Sequence, residues 1–442
     1  MALDLDFAGQ KTAYASHGLH SFAAKFPPQL AGWGIERYSR PGETVLDPMA
    51  GSGTTLVEAR LLGRDALGAD IDPLARLIAR VKATPLQPEL LEAATSALLA
   101  DVESDFAELR RARAHAIPFR DAFRDVPIPE FPNRDYWFLP QISEELALLR
   151  RRIDAVEPHP EGTRLREFFY VVFSALIITK SSTSVANVRD LAHSRPHRVE
   201  PRQKPNVPRA FQQRLARLQR GILDFGRRCD PSTSLRIVGD DARRLPLEDE
   251  SVDLVFTSPP YVNAIDYPRA HKFSLHWLGD ALGVTPEAYR ALGRAYIGTD
   301  RVPIAECLAL ARAPLAEVSR LEETLGRLAD SEAAGRRGGP RRAGVVRRYF
   351  DDMAAVLTEV GRVLRPGRHA VVVVCPSQIA GVPVETHALL ADLAEARTGG
   401  RLRHVETYAR TLDDAKRQLP IVRGRFGTGM RTEYVVVLQK TA

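Results

Sequence analysis

Cysteine is nearly absent from the 442-residue chain: Cys229, Cys307 and Cys375 lie far apart, without the paired Cys or His spacing that binds zinc. That scarcity excludes a disulfide scaffold and a zinc-ribbon class. No stretch reaches the roughly 18 consecutive apolar residues needed to cross a bilayer. The opening "MALDLDFAGQKTAYASHG" also lacks the basic-then-apolar pattern of a secretory leader, so the cytosol is the expected compartment and no membrane partner is expected. Internal repeats are missing too.

What is present is a foldable, mildly basic chain. Hydrophobic residues make up 44% and charged residues 26%, which argues against wholesale disorder. The formal net charge of +7 favours a polyanionic partner without identifying one. At this length the chain exceeds one average domain, so a principal core with inserted or appended pieces is expected.

The pattern begins as strand, Gly-rich turn, helix: "ETVLD" at 43–47 runs into "PMAGSG" and then "TTLVEARLLG" at helical spacing. "RDALGAD" gives a second apolar strand ending at Asp70, and "PLARLIARVKA" a second helix with Pro73 in its first turn. This βαβα unit opens a parallel sheet. From about 84 to 231 the strand signals stop, and four stretches carry 3.6-residue periodicity. Strands return at "LRIVGDD", "SVDLVFTSPPY", "HAVVVVCPSQ" and "TEYVVVLQK". The expected organisation is therefore α/β: a mostly parallel Rossmann-like sheet in two parts, 1–84 and 232–442, with a helical insertion over 85–231. The polar, glycine-rich stretch near 335–348 reads as a mobile basic loop, ahead of the amphipathic helix "YFDDMAAVLTEVGRVL".

Ligands of parallel sheets sit at the carboxyl ends of strands, and "DPMAGSGTT" lies at such an end. A P-loop requires a lysine where this chain has threonine, and a dinucleotide fingerprint requires a third glycine where it has Leu56. A Gly-x-Gly turn preceded by Asp47 suits a cofactor without phosphates. Asp70, ending the second strand, is placed to take both hydroxyls of a ribose, with Asp72 as an alternative. Asp240 or Asp241, ending the third, is a candidate acceptor for an adenine amino group.

The stretch "TSPPY" ends a buried strand with two prolines, which cannot donate to a ladder and which stiffen the backbone. Ser258 Oγ and the Pro259 carbonyl then offer two acceptors to one exocyclic amino group, with Pro260 fixing the corner and Tyr261 supplying a ring for stacking. An aromatic amine is a poor nucleophile because its lone pair is conjugated into the ring. Two acceptors holding both hydrogens favour a pyramidal nitrogen and free that pair for in-line attack on a methyl group. A base treated this way must leave its duplex.

On these motifs the sequence resembles the amino-group DNA methyltransferases that use S-adenosylmethionine. "SPPY" at 258–261 is similar to that family's catalytic loop, in the Ser form associated mostly with cytosine-N4 methylation. "HSFAAKFPPQL" resembles its N-terminal cofactor motif through Phe22, Lys25, Phe26 and Pro27. "DPMAGSGTT" resembles its main cofactor loop, which implies Asp47, Pro48, Met49, Ala50, Gly51, Ser52, Gly53, Thr54 and Thr55 at the cofactor. The resemblance implies base flipping, double-stranded DNA as substrate and a cognate restriction endonuclease as a candidate partner. Adenine-N6 methylation, an RNA amino-methyltransferase and a catalytically inactive DNA-binding module are the alternatives. The insertion is a candidate target-reading region, although family members usually carry that region elsewhere.

Arg195, Arg198, Arg202 and Lys204 fall in a proline-rich basic stretch, and Arg417, Arg423 and Arg425 precede the last strand. These seven are candidate phosphate contacts. Tyr136, Trp137 and Phe138 read as insertion core or its docking edge. Cys375 reads as a core thiol rather than a nucleophile, being remote in sequence from the diproline loop.

Overall fold

β-Branched and aliphatic side chains recur along nine short segments. These form β1 (Thr44–Asp47), β2 (Asp65–Ala69), β3 (Leu235–Gly239), β4 (Val252–Thr257), β5 (Leu364–Val374), β6 (Ser377–Ile379), β7 (Val382–Val384), β8 (Leu402–Thr411) and β9 (Thr432–Lys440). The computed structural model describes residues 5–23, 25–157, 160–177, 185–187, 205–262, 267–312, 318–332, 338–412 and 432–441. Seven strands make one sheet in the order β3-β2-β1-β4-β5-β9-β8, and β6 and β7 form a separate hairpin. The first five run parallel, while β9 is antiparallel to both β5 and β8. The mostly parallel, Rossmann-like sheet is the architecture expected from the sequence, with β9 antiparallel to its neighbours.

Strand order decides where a ligand can sit. The chain builds outward from β1 to β3, then returns to lay β4 on the other side of β1. Connections leave β1 and β4 in opposite directions, and a crevice opens beyond their carboxyl ends. The diproline loop leaves β4 at this point, and the Gly-rich turn leaves β1 beside it.

Alternate residues of each strand face opposite sides, so the sheet divides two cores. Val45, Leu254, Val371 and Val437 join one; Leu46, Val255, Val372 and Val436 join the other. The helices Pro88–Ala114, Pro140–Asp154, Pro160–Ile177 and Val207–Arg228 occupy the stretch expected to be helical. They share one continuous core with a face of the sheet, through Leu91, Leu146, Phe168 and Phe211. Trp137 and Phe138 dock on the helix Tyr267–Leu278, with ring centroids 5.1 Å and 5.4 Å from Phe273.

Two expectations need correction. The basic loop near 335–348 is helical from Gly338 onward, within a helix Gly338–Val363. Composition favours a loop, but the glycines serve close packing: a Cβ on Gly344 would lie 2.0 Å from the Cys307 carbonyl oxygen, and one on Gly339 2.2 Å from that of Ala329. Ala343 and Val346 are buried on the same helix, so tertiary contact outweighs propensity. The second concerns β8 and the β6–β7 hairpin, which the sequence reading passed over. Along β8 only Leu402 and Arg410 are buried, because it is the sheet edge, and its polar residues mask the strand signal.

Candidate active site

The crevice at the strand ends is a cleft of about 850 Å³, open to solvent. Of the residues singled out in the sequence, it brings together Phe22, Lys25, Phe26, Asp47, Pro48, Met49, Ala50, Gly51, Ser52, Thr54, Asp70, Asp72, Asp241, Ser258 and Pro260. Pro27, Gly53, Thr55, Asp240, Pro259 and Tyr261 lie outside its lining. Gly53, at φ +76°, instead lets the helix Pro73–Lys82 approach: a Cβ there would be 2.8 Å from Ala79 Cα. Thr55 is buried beneath the loop and donates to the Phe256 carbonyl (3.3 Å). Pro27 flanks the helix Pro28–Tyr38, and Asp240 is exposed.

At the cofactor side, Gly51 takes φ +49°, and a Cβ added there would meet the Phe22 ring at 3.2 Å. Asp70 folds back over this turn. One carboxylate oxygen accepts from the Gly51 amide (2.7 Å), the other from the Asp72 amide (2.8 Å). Each oxygen therefore keeps a lone pair for a further donor. Burial, and then the neighbouring Asp72, push the Asp70 carboxyl up to about 7.

Asp72 has a different occupation. It caps the helix Pro73–Lys82 through the Leu74 and Ala75 amides (2.8 and 3.4 Å) and is paired with His271 of the helix Tyr267–Leu278. Burial alone would raise its carboxyl, but the adjacent imidazole holds it below the usual range. Asp241 is gripped by Arg243 at 2.9 Å on both oxygens. Asp47 accepts from the Thr257 hydroxyl (2.7 Å) and the Met49 amide (3.2 Å), and burial pushes it up to about 6. Asp47 thereby ties the end of β1 to the end of β4.

The diproline corner is fixed from three sides. Thr257 is held by Asp47, and Thr55 binds the Phe256 carbonyl. Ser258 Oγ donates to the Val373 carbonyl of β5 at 2.9 Å. With its proton committed, the Ser258 oxygen can offer only lone pairs to anything else. Pro259 is buried, while Ser258 and Pro260 reach the cleft. Tyr261 turns its hydroxyl toward Glu433 of β9 (3.5 Å).

Sequence reasoning missed Ala23, Ile71, Ala242, Arg243, Tyr267, Ala295, Tyr296 and Ile297, which complete the cleft. Tyr267 had a signal: it follows the diproline by few residues and starts a helix. Tyr296 stacks on it, with ring centroids 6.1 Å apart and planes 12° from parallel, but nothing in "RAYIGTD" marks it. Among the seven arginines and lysines proposed as phosphate contacts, all lie outside the described residues.

Residues 7–80 match a family model described as DNA methylase, of the N6/N4 type. Over 287 residues the chain is 29% identical to the Type II methyltransferase M.MvaI of Kocuria varians, covering 62% of this chain and 60% of that protein. The chain is similar to the amino-group DNA methylases. The Type II methyltransferase M.MjaII of Methanocaldococcus jannaschii is 22% identical over 350 residues, covering 62% of this chain and 64% of the relative. The chain spans a little over 60% of the length of the first curated proteins it matches. A ribosomal protein L11 methyltransferase of Thermus thermophilus is 41% identical over 73 residues, covering 16% of this chain and 29% of that protein.

S-adenosylmethionine is the cofactor that the methylase family implies, and the cleft fits it. Asp70 has two free lone pairs for a diol, the glycine turn allows close backbone approach, and Ile71, Ala242 and Ile297 give apolar walls to a flat heterocycle.

Proposed function

We propose that the chain is a DNA methyltransferase acting on the exocyclic N4 amine of cytosine in a flipped base. When bound, S-adenosylmethionine supplies an electrophilic methyl group. Asp70 would hold its ribose, Gly51 and the surrounding turn its backbone-facing edge, and Phe22, Ile71 and Ala242 its apolar surface. Ser258 and the Pro259 carbonyl would hold the two hydrogens of the target amine, leaving its nitrogen lone pair directed at the methyl group. The methylated amine then gives up one proton to water.

The observation carrying this reading is the Ser258–Val373 hydrogen bond. A free serine hydroxyl can donate or accept, but one whose proton is tied to a carbonyl is an acceptor only, as an amine requires. Cytosine is favoured over adenine by the Ser form of the loop, a resemblance. DNA is favoured by the methylase relatives.

The test is incubation of the protein with DNA or RNA and methyl-labelled S-adenosylmethionine, followed by nucleoside mass spectrometry. Label in N4-methylcytosine from DNA is expected. Label in N6-methyladenine would replace the base assignment, and label confined to RNA would replace the substrate class. Absence of both transfer and cofactor binding would leave a catalytically inactive DNA-binding module.

A further inference from the structure

We propose that Glu433 and Arg410 are positioning residues for the diproline corner, acting through the Tyr261 hydroxyl. The proposal rests on the methyl-transfer reading and adds residues that no loop motif contains.

Arg410 of β8 and Glu433 of β9 are cross-strand partners in register, their side chains 4% exposed each, with Nη1 to Oε2 at 2.6 Å. A buried ion pair gives little net stability, since desolvation of both charges offsets their attraction. Arg410 Nε has no hydrogen-bond partner among the described residues, so the pair is incompletely satisfied as a structural element. Its geometry is directed elsewhere. Arg410 occupies one oxygen of Glu433 and leaves the other, Oε1, facing Tyr261 Oη (3.5 Å) and Cys375 Sγ (3.9 Å).

Both ends of the corner are then moored to neighbouring strands. Ser258 is tied to Val373 of β5, and Tyr261 to Glu433 of β9, whose neighbour Tyr434 pairs with Val374. Between these moorings lie the two prolines, which have few torsions to relax. Holding both ends fixes the direction of the Pro259 carbonyl and the plane of the Tyr261 ring. Burial, and then the charge of Glu433, keep the Tyr261 hydroxyl protonated, so it is the donor in this contact. Burial raises the Glu433 carboxyl while Arg410 opposes the rise. Cys375, pushed up to about 12 by burial first, stays a thiol and serves as packing.

The test is a double-mutant cycle of Tyr261→Phe and Glu433→Gln, read by single-turnover methyl transfer to DNA, by calorimetric cofactor affinity and by thermal unfolding. Phenylalanine keeps the ring, and glutamine keeps the shape beside Arg410. Each single variant is expected to slow transfer about tenfold, and the double variant also about tenfold, because both remove one contact. Cofactor affinity should stay within about twofold of the parent, which a general collapse of the fold would not allow. Unchanged transfer in Tyr261→Phe, or a double variant slowed about a hundredfold, would overturn the proposal. If Glu433→Gln does not fold, Tyr261→Phe decides alone by the same tenfold criterion. No transfer by the unaltered protein to any nucleic acid would overturn the underlying methyl-transfer reading, and the positioning role with it.

Discussion

Asp70 carries two backbone hydrogen bonds and still faces the cleft, so its charge state should govern cofactor binding. Its carboxyl stands at about 7 in the fold against 3.8 unperturbed, so between those values the folded chain keeps a proton that the unfolded chain has lost. Ionising Asp70 therefore lowers folding stability as pH rises through that window. Ribose hydroxyls need the ionised form as acceptor, so affinity moves the opposite way. Cofactor affinity should rise with pH up to about 7 and then level, with a slope of up to about tenfold per pH unit below it. Calorimetry from about pH 5.5 to about 8.5 checks this. Asp70→Asn should weaken binding and remove the upper step, leaving only the titration of Asp47 near 6. An unchanged profile in that variant would place the ribose elsewhere.

At the same scale, much of the cleft was legible from the sequence because it depends on local chemistry. A glycine turn, an aspartate at a strand end and a diproline corner each leave a mark within ten residues. The partners that set their states leave none. Val373, which takes the Ser258 proton, lies 115 residues away and arrives only through β4–β5 pairing. Cys375 was read as remote from the diproline loop, yet parallel pairing brings it beside Glu433 next to Tyr261. Asp72 looked like a spare ribose ligand but spends its lone pairs on a helix cap and on His271.

Among elements, the helix Pro28–Tyr38 lies directly on β4 ahead of the diproline corner. Gly34 permits this approach: a Cβ there would fall 2.2 Å from the ring of Phe256, which is fully buried. Phe256 also touches Phe26, with centroids 5.6 Å apart. Gly34→Ala should destabilise the fold by about 1–3 kcal/mol, the usual range for overpacking a core, despite alanine's better helix propensity. Thermal or denaturant unfolding checks it; a neutral or stabilising result would mean that Phe256 can turn away freely. Periodicity found the long helices because their buried faces repeat every turn, as in Val207–Arg228 with Phe211, Leu215, Leu218, Ile222 and Phe225 inward. It failed where packing overrode composition, over 338–348, and where an edge strand keeps only a few inward residues, at β8.

For the molecule as a whole, the sheet order creates one crevice, and both motif loops emerge into it. This placement explains why two stretches two hundred residues apart in sequence belong to one site. No helix among the described residues is long and apolar enough to cross a membrane. The net charge of +7 suits a polyanionic substrate, and the methylase relatives make that substrate DNA in the proposed function. The labour within the crevice should be divisible: one wall binds cofactor, the other holds the amine. The most direct measurement is the single-turnover methyl-transfer rate of Ser258→Ala on DNA at saturating S-adenosylmethionine, beside its cofactor affinity. The expected result is a rate lower by on the order of 100-fold with affinity unchanged, since the lost oxygen is held by the Val373 carbonyl and serves the amine rather than the cofactor. Transfer at the parental rate would contradict the assignment of Ser258 as the acceptor that makes the amine reactive.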